Sequence, residues 1–418
     1  MRADFWFLFV IIALLFIVDG LIYKYINRWM TRKQKLIKLS FFTVYWIIPV
    51  VFSVIFVYYF SLLKQADTGN YYYHFMWIIG MFLLIYVPKL IYLFFIFLNT
   101  IYNLIRQFVV NLKSERRPRK GDKITRSEFL GKAGLLMAAI PFASMLYGMA
   151  KGRFNYYVKH APIKFKNLPD AFDGYKIIQI SDIHLGNYNK EYHRLYPIIN
   201  MINDENPDLI LFTGDLVNNF SDETIGWAPV FNKLKAKYGK YSILGNHDYG
   251  NYSRWKSKEA KKRNFDEIVQ AHKRFGFTLL RNQNVDLVLN NQTIKLAGNE
   301  NWGLPPFPQY GDLTKTLKGI SKDNFTILMS HDPDHWEAEI LPDSNVELTL
   351  AGHTHGMQMG ISYKNLKWSP AKWKYRYWDG LYTKGDRHLY VNRGLGFIGI
   401  PMRIGMPPEI TLLELRKA

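Results

Sequence analysis

"YKIIQISDIHL", residues 175–185, is the stretch on which the fold turns. Ile177, Ile178 and Ile180 form a continuous apolar run, which suits a strand buried on both faces. The run ends in Asp182 and His184, two apart, where an extended backbone would project both side chains to one side. Four later stretches share this plan: "DLILFTGDL" (208–216), "YSILGNHD" (241–248), "FTILMSHDPD" (325–334) and "ELTLAGHTHG" (347–356). Helix-length segments lie between them at 190–205 and 256–275, and further strands are expected at 293–298, 388–392 and 409–415. Strands alternating with helices predict an α/β domain over 176–418, with 151–175 as the linker into it.

The strand ends hold the chemistry. Asp182 with His184, Asp215 after Gly214, Asn246 with His247 after Gly245, His331 after Ser330, and His353 with His355 would line one pocket if these strands are neighbours. Carboxylates with neutral imidazoles suit divalent ions such as Mn, Fe, Zn or Mg, and the donor count is enough for two ions sharing one carboxylate. No cysteine is present, which excludes disulfides and thiolate ligands. His193, His272, His335 and His388 stand alone and read as hydrogen-bonded core or surface groups. Asp248 is open between orienting His247 and capping a helix.

"SDIHL", "TGDL", "GNHD", "SHD" and "GHTH", in that order, resemble the motif series of the calcineurin-like metallophosphoesterases, bacterial membrane-anchored branch. The resemblance covers roughly 175–418. It implies a four-layer α-β-β-α sandwich and two divalent metal ions. Asp182, His184 and His355 would hold one ion, Asn246, His331 and His353 the other, and Asp215 would bridge. It also implies in-line attack of a metal-bridging hydroxide on phosphorus, with His247 as the catalytic residue at the leaving oxygen. Arg393, in "NRGLG", is a candidate substrate-binding residue, as is Arg403; either also reads as structural.

The first 150 residues are of another kind. "FWFLFVIIALLFIVDGLI" (5–22), "FFTVYWIIPVVFSVIFVYYFSLL" (41–63), "FMWIIGMFLLIYVPKLIYLFFIFL" (75–98) and "AGLLMAAIPFASMLYGMA" (133–150) approach the length that crosses a bilayer, about 20 residues. They predict an N-terminal bundle of about four transmembrane helices over 1–150, with a kink at Pro88 and Lys89 snorkelling. Of the formal charge of +20, most sits here: 18 basic against 6 acidic residues, versus 36 and 28 beyond residue 150. Loop one (Arg28, Arg32, Lys33, Lys35, Lys38) and loop three (Arg106 to Lys132) are basic, while loop two has Lys64 with Asp67. The positive-inside rule puts loops one and three in the cytoplasm and the catalytic domain on the exterior face, periplasmic or extracellular. Lys151 and Arg153 argue the other way. "TRSEFLGKAGLLMAAIPFA" (125–143) resembles a twin-arginine signal, with Ser127 in place of the second arginine and Gly131 in place of the lysine.

"GDLVNNF" lacks the Asp-Arg-Gly that follows this aspartate in the protein phosphatases of the superfamily. The resemblance points instead to phosphoesterases of lipid-linked phosphates or pyrophosphates, with membrane lipids as partners. A nuclease of the same chemistry and a catalytically silent membrane sensor are the alternatives. "KNLKWSPAKWKYRYWDGLY" (364–382) interleaves cations with aromatics, a mixture for a bilayer interface, for single-stranded nucleic acid or for a plain hairpin. The basic excess outside the membrane half is small, so nucleic acid is not the expected partner.

Overall fold

Each of the four apolar runs is a helix: α1 (Arg2–Trp29), α2 (Lys35–Leu62), α3 (Gly69–Lys113) and α4 (Arg126–Ala150). The computed structural model describes residues 2–29, 35–62, 69–113, 126–305, 307–363 and 366–418. Arg32, Lys33, Lys64, Asp67, Arg116, Arg117, Arg119, Lys120 and Lys123, on which the sidedness reading leans, lie outside the described residues. All four helices are long and apolar enough to cross a membrane. They run beyond the expected spans, because the charged and aromatic flanks continue the same helices. Pro49, Pro88 and Pro141 all sit inside helices.

Two compact units divide the chain: residues 1–65 with 78–146, and residues 66–77 with 147–418. In the first, large apolar side chains such as Phe94 and Leu136 stand exposed on the helix surfaces, as in a lipid-facing bundle. Lys89 does not snorkel. Its Nζ lies 2.5 Å from Asp19 Oδ1, a carboxylate with no exposed surface. Tyr86 donates to Asp19 Oδ2 at 2.9 Å and Tyr45 to the Asp19 carbonyl at 2.8 Å. An anion in a span needs a buried partner, and Lys89 is in reach.

The second unit holds two six-stranded sheets. One has the order β1-β14-β2-β3-β4-β5, from β1 (Tyr157–Phe165), β2 (Lys176–Ile180), β3 (Leu209–Phe212), β4 (Lys240–Ser242), β5 (Thr278–Leu279) and β14 (Glu409–Lys417). The other has the order β12-β13-β9-β8-β7-β6, from β6 (Gln283–Leu289), β7 (Gln292–Gly298), β8 (Thr326–Met329), β9 (Leu348–Ala351), β12 (Gly380–Lys384) and β13 (Arg387–Val391). β2 to β5 are mutually parallel, as are β7, β8, β9 and β13. A separate hairpin pairs β10 (Ile361–Tyr363) with β11 (Leu366–Trp368).

Alternating residues of one strand enter different cores. Ile177, Leu209 and Leu211 pack against Leu296, Ile327 and Leu348 between the sheets. Ile178, Ile210 and Phe212 face the other way, toward Ile199 of α5 (Tyr196–Asp204), Val230 of α6 (Ala228–Phe231) and Ile268 of α7 (Lys258–Arg274). Leu328 and Ala351 meet Trp336 and Ile340 on the outer face of the second sheet. The layers are therefore helix, sheet, sheet, helix, and the continuous apolar runs are explained by burial on both faces.

The stretch 151–175 is not a linker. It contains β1, which pairs in parallel with β14 along its whole length. Pro162 and the charged residues of "YVKHAPIKF" mask the strand pattern, and proline is tolerated because β1 is the sheet edge.

Candidate metal centre

Parallel strands bring their carboxyl ends to one side, and the loops that follow β2, β3, β4, β8 and β9 carry the seven expected donors. The backbone there is not extended. Asp182 and His184 have φ of 50° each, Asp215 60°, His353 70° and His355 51°. The x residue of each pair does not simply alternate faces; both donors are turned inward by left-handed backbone. Such conformations cost of order 1–3 kcal/mol each and persist where surrounding bonds fix them. Here Asp182 N donates to Gly214 O at 2.9 Å, His184 N to Asp215 O at 3.2 Å, and Gly352 N to His331 O at 2.9 Å. Space is equally tight: a Cβ at Gly352 would overlap the Asp182 carboxylate, and one at Gly245 the Asp215 carboxylate.

The donors form two groups. Ligand atoms of Asp182, His184 and His355 lie within 4.8 Å of one another, as do those of Asp215, His331 and His353. His355 Nε2 stands 3.2 Å from Asp182 Oδ1 and 3.1 Å from His184 Nε2. Asp215 Oδ2 lies 3.3 Å from His331 Nε2 and 3.7 Å from His184 Nε2, so it reaches both groups. Asn246 Oδ1 is 3.1 Å from His331 Nε2 and 2.8 Å from His353 Nδ1. Its amide nitrogen donates to Tyr252 Oη at 2.9 Å, which fixes the oxygen toward the imidazoles.

Electrostatics favour a cation here. Burial works against ionising Asp182 and Asp215, yet His355 beside the first and His331 beside the second hold both carboxyls below the usual range. Burial lowers His184 to about 3 and also lowers His353 and His355. His331 is the exception: burial opposes its charge, but Asp215 draws it up to about 10. His331 Nδ1 donates to Thr213 O at 2.7 Å, which leaves Nε2 to face Asp215 and Asn246. Neutral ring nitrogens and anionic oxygens sharing a dry space are the donor set of a divalent metal site.

A cavity of about 380 Å³ opens beside this set, lined by Asp215, Asn246, His247, His353, His355, Phe307, Tyr375 and Ile398 among others. His247 is the expected catalytic residue, and only part of it is buried. Its Nδ1 donates to Asn218 O at 2.7 Å and its ring packs edge-on to His184 at 5.0 Å, leaving Nε2 for the cavity.

The chain is similar to known metallophosphoesterases along most of its length. Residues 175–357 match the family model "Calcineurin-like phosphoesterase", and residues 1–153 match "Probable Calcineurin-like phosphoesterase, transmembrane domain". The uncharacterized metallophosphoesterase YkuE of Bacillus subtilis (strain 168) is 36% identical over 300 residues, 70% of this chain and 98% of YkuE. The chain belongs to the calcineurin-like phosphoesterase family. A zebrafish (Danio rerio) transmembrane protein with metallophosphoesterase domain is 28% identical over 65% of this chain and 60% of its own length. An uncharacterized metallophosphoesterase of Campylobacter jejuni is 29% identical over 62% of this chain and 63% of its own. Among solved structures, the phosphopantetheinyl hydrolase of Mycobacterium tuberculosis aligns at 14% identity and a TM-score of 0.30, over 49% of this chain and 93% of that one.

As a calcineurin-like phosphoesterase the chain is a hydrolase of phosphoric esters. Two of its expected phosphate contacts are otherwise engaged. Arg393 is buried in a two-pronged pair with Asp379, at 2.6 and 2.8 Å, and does not line the cavity. The reason is a buried carboxylate that needs a counter-charge. Arg403 is fully buried and donates to the carbonyls of Arg393, Gly394, Gly396 and Met406, with Nη2 3.2 Å from His355 Nδ1.

Sequence reasoning left Asp248 undecided, and the phosphoesterase gives it a definite place. Its carboxylate accepts from the backbone N–H of Asp215, Gly245, Leu216 and Val217, at 2.9 to 3.2 Å. It clamps the Asp215 loop to the Asn246 loop. Burial and the Asp215 charge push it up to about 7, against those four donors. Glu223 does the same for 218–220 and Gly186. Proximity to "GNHD" flags Asp248, whereas no local pattern flags Glu223. Three of the four lone histidines are hydrogen-bonded within the fold: His272 bonds Ser242 Oγ, His335 bonds Ser330 and Glu339, and His388 bonds Thr383.

Proposed function

We propose that the chain is a membrane-anchored phosphoesterase using two divalent metal ions, with its catalytic domain on the exterior face and a lipid-linked phosphate ester or pyrophosphate as substrate. The supporting observation is the pair of donor groups around Asp215, with His247 beside them on the cavity wall. Asp182, His184 and His355 would hold one ion, Asn246, His331 and His353 the other, and Asp215 both. The ions, when bound, would supply Lewis acidity toward phosphoryl oxygens and an activated water.

The chain's own groups do the rest. Asn246 contributes a neutral oxygen, so the site does not repel an anionic substrate further. His247, whose Nδ1–H donates to Asn218 O, offers Nε2 to the leaving oxygen, as hydrogen-bond donor or general acid in the imidazolium form. Phe307, Tyr375 and Ile398 give the cavity an apolar wall suited to an amphiphile.

Hydrolysis of a chromogenic phosphodiester by the full-length protein with added Mn tests the reaction. A panel of lipid phosphates and oligonucleotides tests the substrate class; preference for oligonucleotides would replace the lipid reading with the nuclease one. A reporter fused after Ala418 and active only in the cytoplasm would overturn the exterior placement.

A further inference from the structure

We infer that the hairpin β10–β11 beside the site is a docking surface for the lipid leaflet. Its bearing on substrate choice rests on the phosphoesterase reading above; the docking itself rests only on the membrane spans.

The segment bearing His353 and His355 runs on through Met357 and Met359 into β10. The register sets Ile361 opposite Trp368 and Ser362 opposite Lys367. Side chains alternate along a strand, so Ser362 and Lys367 share one face while Ile361, Leu366 and Trp368 share the other. The polar face is tied back to the protein by bonds, although both of its side chains stay exposed. Arg393 Nη2 donates to Ser362 Oγ at 3.0 Å, and Lys367 Nζ lies 2.8 Å from Oδ2 of buried Asp379. The apolar face is open as well: Ile361 is 48% exposed and Leu366 59%, with Trp368 half-buried. Met359, two residues before Ile361, is 41% exposed; Trp373, edge-on to Trp368 at 5.7 Å, is 73% exposed. Water on the free face of a hairpin selects polar side chains, and a contiguous exposed apolar face marks an interaction surface.

The occupant follows from what this segment is bonded to. Ile404 N donates to Gln358 O at 2.7 Å and Gly360 N to Ile404 O at 2.9 Å, while Arg403 N donates to Gly148 O at 3.3 Å. A Cβ at Gly148 would stand 2.9 Å from Ile404 Cγ1, so the 403–404 backbone lies directly on that turn. Gly148 is in the last turn of α4, inside the candidate span Arg126–Phe154. The exposed apolar face therefore begins one backbone away from the end of a membrane helix. Lys372 and Lys374, both exposed, flank Trp373. Aromatic and basic side chains together at a helix exit match headgroup contact. Held against a leaflet, the mouth near Met357 would receive an amphiphilic phosphate without drawing it through water.

The chain has no cysteine, so single labels are clean. Met359→Cys, Leu366→Cys and Trp373→Cys, with Lys322→Cys as a remote exposed control, would be spin-labelled in the full-length protein in nanodiscs of zwitterionic plus anionic phospholipid. Collision with oxygen and with a water-soluble nickel chelate is then measured. The expected result is high oxygen and low nickel collision at 359, 366 and 373, and the reverse at 322. High nickel collision at all four would overturn the proposal. So would low collision with both reagents at 359, 366 and 373, which signifies a second copy or another protein on this face. Because the readout needs no hydrolysis, docking and catalysis fail separately.

Discussion

His184 and His355 face each other through their Nε2 atoms, 3.1 Å apart, with Asp182 Oδ1 3.2 Å from the His355 nitrogen. Neutral imidazoles at that separation share at most one proton, and burial disfavours charging either ring. Lone pairs from three groups are thus aimed into a common dry space. A divalent cation satisfies all three at once, which a proton does not.

Metal content should follow the two groups. The full-length protein loaded with Mn is expected to hold two ions, Asp182→Asn to lose one, and Asp215→Asn to lose both. Elemental analysis after desalting reads this directly; two ions retained in Asp215→Asn would contradict the bridging role. Chelation should abolish hydrolysis and lower the thermal midpoint.

His247→Ala should reduce turnover by roughly 100- to 10,000-fold, the range for a lost general acid. Metal content should be unchanged, because neither of the two donor groups among the described residues includes His247. Loss of the ions in this variant would make His247 a ligand instead.

Asp248→Asn should weaken metal binding by about 10- to 100-fold, since the clamp between the Asp215 and Asn246 loops is a supporting contact behind two donors. An amide matches four N–H donors less well than a carboxylate, and a cost of about 1–3 kcal/mol in stability is expected. Metal titration and thermal unfolding read the two effects independently.

His272 sets an acid limit on the fold. It is fully buried, bonded to Ser242 through Nδ1, and burial lowers it from 6.5 to about 3. A depressed folded value means its contribution is intact above about pH 6.5 and is lost as pH falls toward 3. Each unit of difference corresponds to about 1.4 kcal/mol. In metal-stripped protein, His272→Gln should flatten the decline of thermal midpoint across that interval; an unchanged slope would assign the decline to other groups.

Lys89→Met should destabilise the helical unit by about 3–5 kcal/mol, because Asp19 is left buried and uncompensated. The double variant Asp19→Leu with Lys89→Met should recover much of the loss. Thermal unfolding in detergent distinguishes this from two independent, additive defects.

Much of this was readable along the chain. The five central strands declare themselves because runs buried on both faces are apolar throughout, as "KIIQI" and "LILF" are. The donors declare themselves because imidazole and carboxylate at the end of such a run have no packing role. β1 stayed hidden because an edge strand buries only one end of its length, at Ile163 and Phe165, and accepts Pro162. Asp248 and Glu223 stayed open or unseen because their partners are backbone N–H groups, which every sequence has.

By itself, then, the sequence determined which imidazoles and carboxylates stand at strand ends, how those strands follow one another along the chain, and which helices are apolar enough to span a bilayer. These depend on chemistry and periodicity that are local to each segment. Tertiary structure alone decided that the donors turn inward through left-handed backbone, that Arg393 answers Asp379, and that Lys89 answers Asp19. It also decided that β10–β11 leaves Ile361 and Leu366 exposed. Partner choice and facing are settled by distance and burial between segments far apart in the chain, and no local pattern encodes them.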